Sequence, residues 1–201
     1  MQNAEVSMPS RSLVVWKETR LRALDPVERA HAAIVGEGPG RRYLTQQINQ
    51  AFAVLLSSQF QGFCRDLHSE CVDFFVKGIS PASAQEVVRL NLLKGRKLDT
   101  GNPNPANLGN DFNRFGAKFK LVDELLAYDP SNQDRKVKLE ELSVWRNAIA
   151  HQDFTNQELQ GKATISLGTV KTWRAACKGL AISMDEVMRR QLTALLGVPP
   201  W

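Results

Sequence analysis

A chain of 201 residues with 43% hydrophobic and 23% charged side chains can build one generous core, which excludes collagen-like, low-complexity and extended classes. No apolar run reaches the roughly 20 residues that cross a bilayer. The opening MQNAEVSMPSRS tract lacks the apolar centre of a secretory signal, so a cytoplasmic protein with no membrane contact is expected. A formal net charge of +5 favours polyanionic partners, because lysines and arginines gain attraction to phosphates and release their counterions.

Residues 1–10 are polar and unpatterned and read as a flexible tail, leaving 11–201 as a single domain. From Leu13 to Val35 a helical pattern runs with an interruption at Asp25-Pro26, where aspartate suits a cap and proline a first turn. Gly36-Glu37-Gly38-Pro39-Gly40 reads as a loop. The clearest helix spans about Tyr43–Lys77, with Leu56, Phe60, Phe63, Leu67, Cys71 and Phe74 recurring at steps of three and four. Gly78 supplies a stop, and a further helix is predicted over about Pro81–Leu98. Gly101-Asn102-Pro103-Asn104-Pro105 must be a loop.

Helical spacing resumes around Asn110, through Phe112, Phe115, Phe119, Val122, Leu125 and Leu126, until Tyr128-Asp129-Pro130-Ser131-Asn132 breaks it. Two more helices follow, at about Asp134–His151 and Thr169–Leu196, separated by a polar stretch whose one hint of period-two alternation lies at Ala163–Leu167. The pattern is all-α: one domain of long helices in a bundle. Cys64, Cys71 and Cys177 lack CxxC spacing, which argues against a disulfide framework or a zinc site, and Cys64 and Cys71, seven apart on a helical apolar stripe, read as small core residues. His31 and His68 sit among polar neighbours without ligand spacing and read as surface residues. No phosphate-binding glycine loop, metal-ligand cluster or serine elbow is present, so no cofactor or metal is expected.

One segment carries chemistry. At about 100° per residue, Leu139, Leu142, Trp145 and Ile149 fall on one side of the helix predicted over about Asp134–His151. Asn147 and His151, at i and i+4, share a different face, and Arg146 stands at the margin between them. His151 also ends its helix, where the negative end of the macrodipole favours a cation. A histidine can take the proton of a ribose 2′-hydroxyl or give one to a leaving 5′-oxygen, an arginine can stabilise a pentavalent phosphorane, and Asn147 can orient the phosphate or hold the imidazole. Such chemistry needs neither a metal nor a protein nucleophile. The alternative is a solvated helix end, with Arg146 capping carbonyls or pairing with Glu140 or Glu141. One helix offers one histidine, and a two-fold dimer would supply the second.

Arg146-Asn147-x-x-x-His151 resembles the signature of the HEPN superfamily, and the chain beyond residue 12 resembles its RiboL-PSP-HEPN branch. The resemblance includes Phe60-Gln61-Gly62-Phe63 in the long helix, the Asn110-Asp111-Phe112-x-x-Phe115-Gly116 segment, and a motif helix followed by a final long one. It implies an up-and-down bundle that dimerises through the motif helix, placing Arg146, Asn147 and His151 at a composite RNA-cleaving site. It further implies work in toxin–antitoxin or antiviral defence systems, with a cognate antitoxin or inhibitor protein as a further partner. Some such toxins carry a tyrosine two residues beyond the histidine that their antitoxin modifies; Asp153 stands there instead, which argues against that regulation and leaves another antitoxin, or none, equally open.

The basic runs Lys94-Gly95-Arg96-Lys97 and Arg135-Lys136-x-Lys138 suggest an RNA track, with a solvated face as the alternative. Three functions are thus open: a metal-independent endoribonuclease, a non-catalytic RNA- or partner-binding module, and a structural adaptor.

Overall fold

In a computed structural model that describes residues 8–34 and 39–201, the chain forms α1 (Arg11–Val15), α2 (Asp25–Ala33), α3 (Pro39–Lys77), α4 (Ser83–Leu93), α5 (Pro105–Phe112), α6 (Leu121–Tyr128), α7 (Asn132–His151) and α8 (Leu167–Leu196). No strand occurs among the described residues, and the fold is all-α. The long helices α3, α7 and α8 pack on one another, while α1 and α4 lie against α3 and α6 lies against α8.

The stripe read along α3 becomes the centre of the core. Phe52, Leu56, Phe60, Phe63, Leu67 and Cys71 are buried to the last atom, facing Trp16, Phe112, Leu142, Trp173, Leu180 and Met184. Each such large apolar side chain contributes roughly 1.5–3 kcal/mol on leaving water. All three cysteines are buried and unpaired, as small core residues should be. Burial pushes their thiols well above the ordinary range.

Five expectations need correction. Residues 1–7 lie outside the described residues, but Ser10, placed in the tail, is fully buried: its hydroxyl caps α1 and also binds Asp185 on α8. Of the predicted loop at 36–40, residues 36–38 lie outside the described residues, whereas Pro39 and Gly40 already belong to α3. The helix expected to run on from Phe112 breaks after Phe115, because Gln191 on α8 donates to the Phe115 carbonyl (2.8 Å) and Asn113 Oδ1 accepts the Leu121 N–H (2.9 Å). Gly116 permits that approach, since a Cβ there would lie 2.8 Å from Gln191 Nε2. α4 likewise ends at Leu93, not Leu98, because Arg114 takes the carbonyls of Leu92, Lys94 and Gly95 and holds them in a turn.

The fifth correction is His68, which is buried on α3 rather than exposed. Its ring meets Phe112 and Phe115 edge-on, and Nε2 lies 3.3 Å from the Asp111 carbonyl. An acceptor there requires the proton on Nε2, leaving Nδ1 buried without a partner. Burial, then the nearby Arg96 guanidinium, lower its pKa from 6.5 to about 4. The alternation at Ala163–Leu167 makes no strand: Gln46 and Asn49 of α3 bind the N–H and C=O of Ile165 and take the place of a strand partner.

Candidate functional site

α7 is fixed at both ends. At its start, Asn132 is buried, donates to the Leu125 carbonyl of α6 (2.8 Å) and accepts from Ser183 of α8 (3.2 Å). In the middle, Glu141 accepts the Trp173 indole N–H (3.0 Å). At the end, Gln152 adopts the left-handed conformation (φ 53°), so that its N–H reaches the Ile149 carbonyl (3.3 Å) and the Asp153 N–H reaches Ala148 (3.0 Å). These two bonds form a Schellman cap that stops the helix with His151 as its last residue. Asp153 is held in turn by Thr155, whose N–H (3.0 Å) and hydroxyl (2.6 Å) both donate to it. Those two bonds keep the Asp153 carboxyl below the usual range.

The wheel orientation holds. Leu139, Leu142 and Trp145 are buried and Ile149 is half-buried, while Asn147 and His151 are exposed and Arg146 is half-exposed. Of the two small residues beside them, Ala148 packs into the chain's own core and Ala150 is exposed. Arg146 does not pair with Glu140 or Glu141: Glu140 is taken by Lys136 (3.4 Å) and Glu141 by Trp173. The guanidinium instead donates to Asn147 Oδ1 (3.3 Å) and makes no ion pair among the described residues. The guanidinium and the Asn147 amide are therefore in contact, and the exposed His151 imidazole follows one turn on from Asn147. Two of the larger clefts, of about 520 and 320 Å³, lie elsewhere and do not include them.

A family model described as RiboL-PSP-HEPN matches residues 21–189, which includes every element from α2 to most of α8. The chain belongs to the RiboL-PSP-HEPN family. No curated protein and no solved structure matches it. The segments that carried the resemblance now have structural work within this RiboL-PSP-HEPN domain. Gln61 donates to the carbonyls of Leu98 (2.7 Å) and Gly101 (2.9 Å), and the buried Asp111 carboxylate accepts the N–H groups of Lys97 and Leu98, each at 2.8 Å. Both segments therefore clamp the loop that precedes α5.

That loop contains the site residue that sequence reasoning missed. Asn102 is buried and donates from Nδ2 to Asn147 Oδ1 (2.6 Å) and to the Ser143 carbonyl (3.4 Å). The Pro103 and Pro105 flanks mark a rigid loop, but nothing local announces its partner on α7.

The six basic residues divide. Arg96 is occupied by Asp99 (2.7 Å), Ser69 and the Arg65 carbonyl, and Arg135 by Asp129 (2.6 Å) and Asn132. Lys136 pairs with Glu140, and Lys138 with Asp134 (3.0 Å). Lys94 and Lys97 are exposed and make no ion pair among the described residues. No helix of the described residues is long and apolar enough to cross a membrane, and no group of three or more His, Cys, Asp or Glu side chains among them is placed to hold a metal ion.

Proposed function

We propose that this RiboL-PSP-HEPN domain is a metal-independent endoribonuclease of the toxin or defence kind. It acts as a homodimer whose two α7 C-termini form one composite site. The reading is supported above all by the exposed, off-core cluster of Arg146, Asn147 and His151, with Arg146 free of the acidic neighbours that would otherwise neutralise it. One His151 imidazole takes the proton of the ribose 2′-hydroxyl. The 2′-oxygen attacks the adjacent phosphorus, the bond to the 5′-oxygen breaks, and the second copy's imidazole returns a proton to that leaving oxygen. Arg146 stabilises the charge gathering on the non-bridging oxygens, and Asn147 orients the phosphate. The products are a 2′,3′-cyclic phosphate and a 5′-hydroxyl.

RNA approaches along the basic surface, with Lys94 and Lys97 as its unpaired contacts and Arg96, Arg135, Lys136 and Lys138 contributing charge from within ion pairs. An inhibitor protein that covered the α7 end would silence the enzyme.

A second reading, a non-catalytic RNA-binding module, is favoured by the single histidine on the motif face of each chain and by the uncovered surface around it. The two separate on incubating single-stranded RNA with the protein in chelator. The nuclease reading expects cleavage that falls by about 100-fold or more in His151→Ala and Arg146→Ala. Cleavage that survives both substitutions would remove these residues from the site, and salt-sensitive binding without product would favour the module.

A further inference from the structure

We infer that Asn102 is a positioning residue that turns the Asn147 side chain so that its amide nitrogen, a donor, is the end offered to the substrate phosphate. The role of that donor rests on the nuclease reading above; the orientation is a property of the fold alone.

Two independent constraints set the amide. A backbone carbonyl only accepts, so the Asn102 atom 3.4 Å from the Ser143 oxygen must be Nδ2. The Asn147 atom 2.6 Å from that nitrogen must then be the accepting Oδ1. A guanidinium only donates, so Arg146, 3.3 Å from the same atom, demands the same assignment without reference to Asn102. The two Asn102 amide protons are thereby both engaged, and Asn147 Oδ1 receives two donors. The Nδ2 group of Asn147 makes no hydrogen bond among the described residues, and its side chain is exposed beside Arg146 and one turn before His151. Of the roles open to Asn147, accepting an imidazole N–H is thus excluded. Donation to a phosphate oxygen remains, and it strengthens as the phosphorane gathers charge.

The loop can impose this because it is held from three sides. Gln61 of α3 binds the Gly101 carbonyl, Asn107 of α5 binds the Asn102 carbonyl (2.8 Å), and Asn104 caps α5 through the Asn107 N–H (2.8 Å). Gly101 fits where little else would, since a Cβ there would lie 2.7 Å from Asn107 Nδ2 and 3.2 Å from the Lys97 carbonyl. A locked side chain needs no reorganisation during reaction, which is what makes a supporting contact matter for rate.

Asn102→Asp, Asn102→Ala and Asn147→Asp test this in full-length protein. Asn102→Asp replaces the donor by an acceptor, so Asn147 must turn its nitrogen inward to meet it. Single-turnover cleavage should fall about 100-fold, with affinity for a 2′-O-methyl RNA nearly unchanged. Asn102→Ala leaves Arg146 to hold the oxygen and should cost only about tenfold. Asn147→Asp keeps the oxygen for Asn102 and Arg146 but removes the donor, and should match Asn102→Asp. Wild-type rates in both Asn102 variants, or a larger loss in Asn102→Ala than in Asn102→Asp, would overturn the inference, the second by pointing to packing alone.

Side-chain amide NMR reads the orientation directly. In the wild type, the Asn102 amide protons should exchange slowly with solvent and those of Asn147 fast; in Asn102→Asp those of Asn147 should become protected. If the wild type cleaves no RNA, the nuclease reading falls, but this exchange pattern still decides the positioning: the reverse pattern overturns it.

Discussion

Between neutral and mildly acid pH, His68 gains a proton in the unfolded chain but not in the folded one. Its folded pKa is about 4 against an ordinary 6.5, because the ring is buried between Phe112 and Phe115 with Arg96 and Arg114 nearby. A depressed folded value means that the full stability is present above 6.5 and is lost as the pH falls through about 4. The difference of roughly 2.5 pH units, at about 1.36 kcal/mol each, gives a limit of about 3 kcal/mol. By the same linkage, a little under half of that loss is reached at pH 5.5 and most of it at pH 4.5. Urea unfolding followed by tryptophan fluorescence measures it, with His68→Gln as the reference that lacks the titrating ring. Asp185, whose carboxyl burial raises, changes stability in the opposite direction over part of this range, and the comparison cancels it. The wild type should lose about 2–3 kcal/mol more than His68→Gln between pH 7 and 4.5. Parallel pH profiles would refute the reasoning and show that the ring is hydrated or protonated in the native state.

Three further outcomes follow from named contacts. Gln152→Gly relieves the left-handed residue of the α7 cap and should add about 0.5–1 kcal/mol, raising Tm by about 1–4 °C; an unchanged or lower Tm would contradict the cap assignment. Asp111→Ala orphans the Lys97 and Leu98 N–H groups and should cost about 2–4 kcal/mol by urea unfolding, with RNA cleavage falling in the folded fraction as the Asn102 loop loosens. Replacing Lys94 and Lys97 by alanine should lower the slope of log Kd for RNA against log salt by more than replacing Lys136 and Lys138, which already have carboxylate partners; equal slopes would remove that distinction.

What the sequence revealed depended on how far away the deciding group lay. The α3 stripe and the polar face at the end of α7 were legible, because helical spacing alone sorts Phe60, Phe63 and Leu67 from solvent and separates His151 from Leu142 and Trp145. His68 misled because Asp66, Ser69 and Glu70 surround it in sequence, yet its spacing of four from Cys64 and three from Cys71 puts it on the apolar stripe. The break after Phe115 was not legible, since the donor that ends the helix is Gln191, 76 residues away. Asn102 reaches Asn147 across 45 residues, and a loop asparagine between glycine and proline carries no mark of its target.

Cleavage rate per molecule, followed as the protein is diluted through its dimer–monomer transition in chelator, tests the composite site most directly. The account predicts that specific activity is negligible for the monomer, rises with dimer fraction and levels off when dimerisation is complete. Activity that is constant per chain down to concentrations where sedimentation finds only monomer, or no cleavage by the saturated dimer, would contradict it.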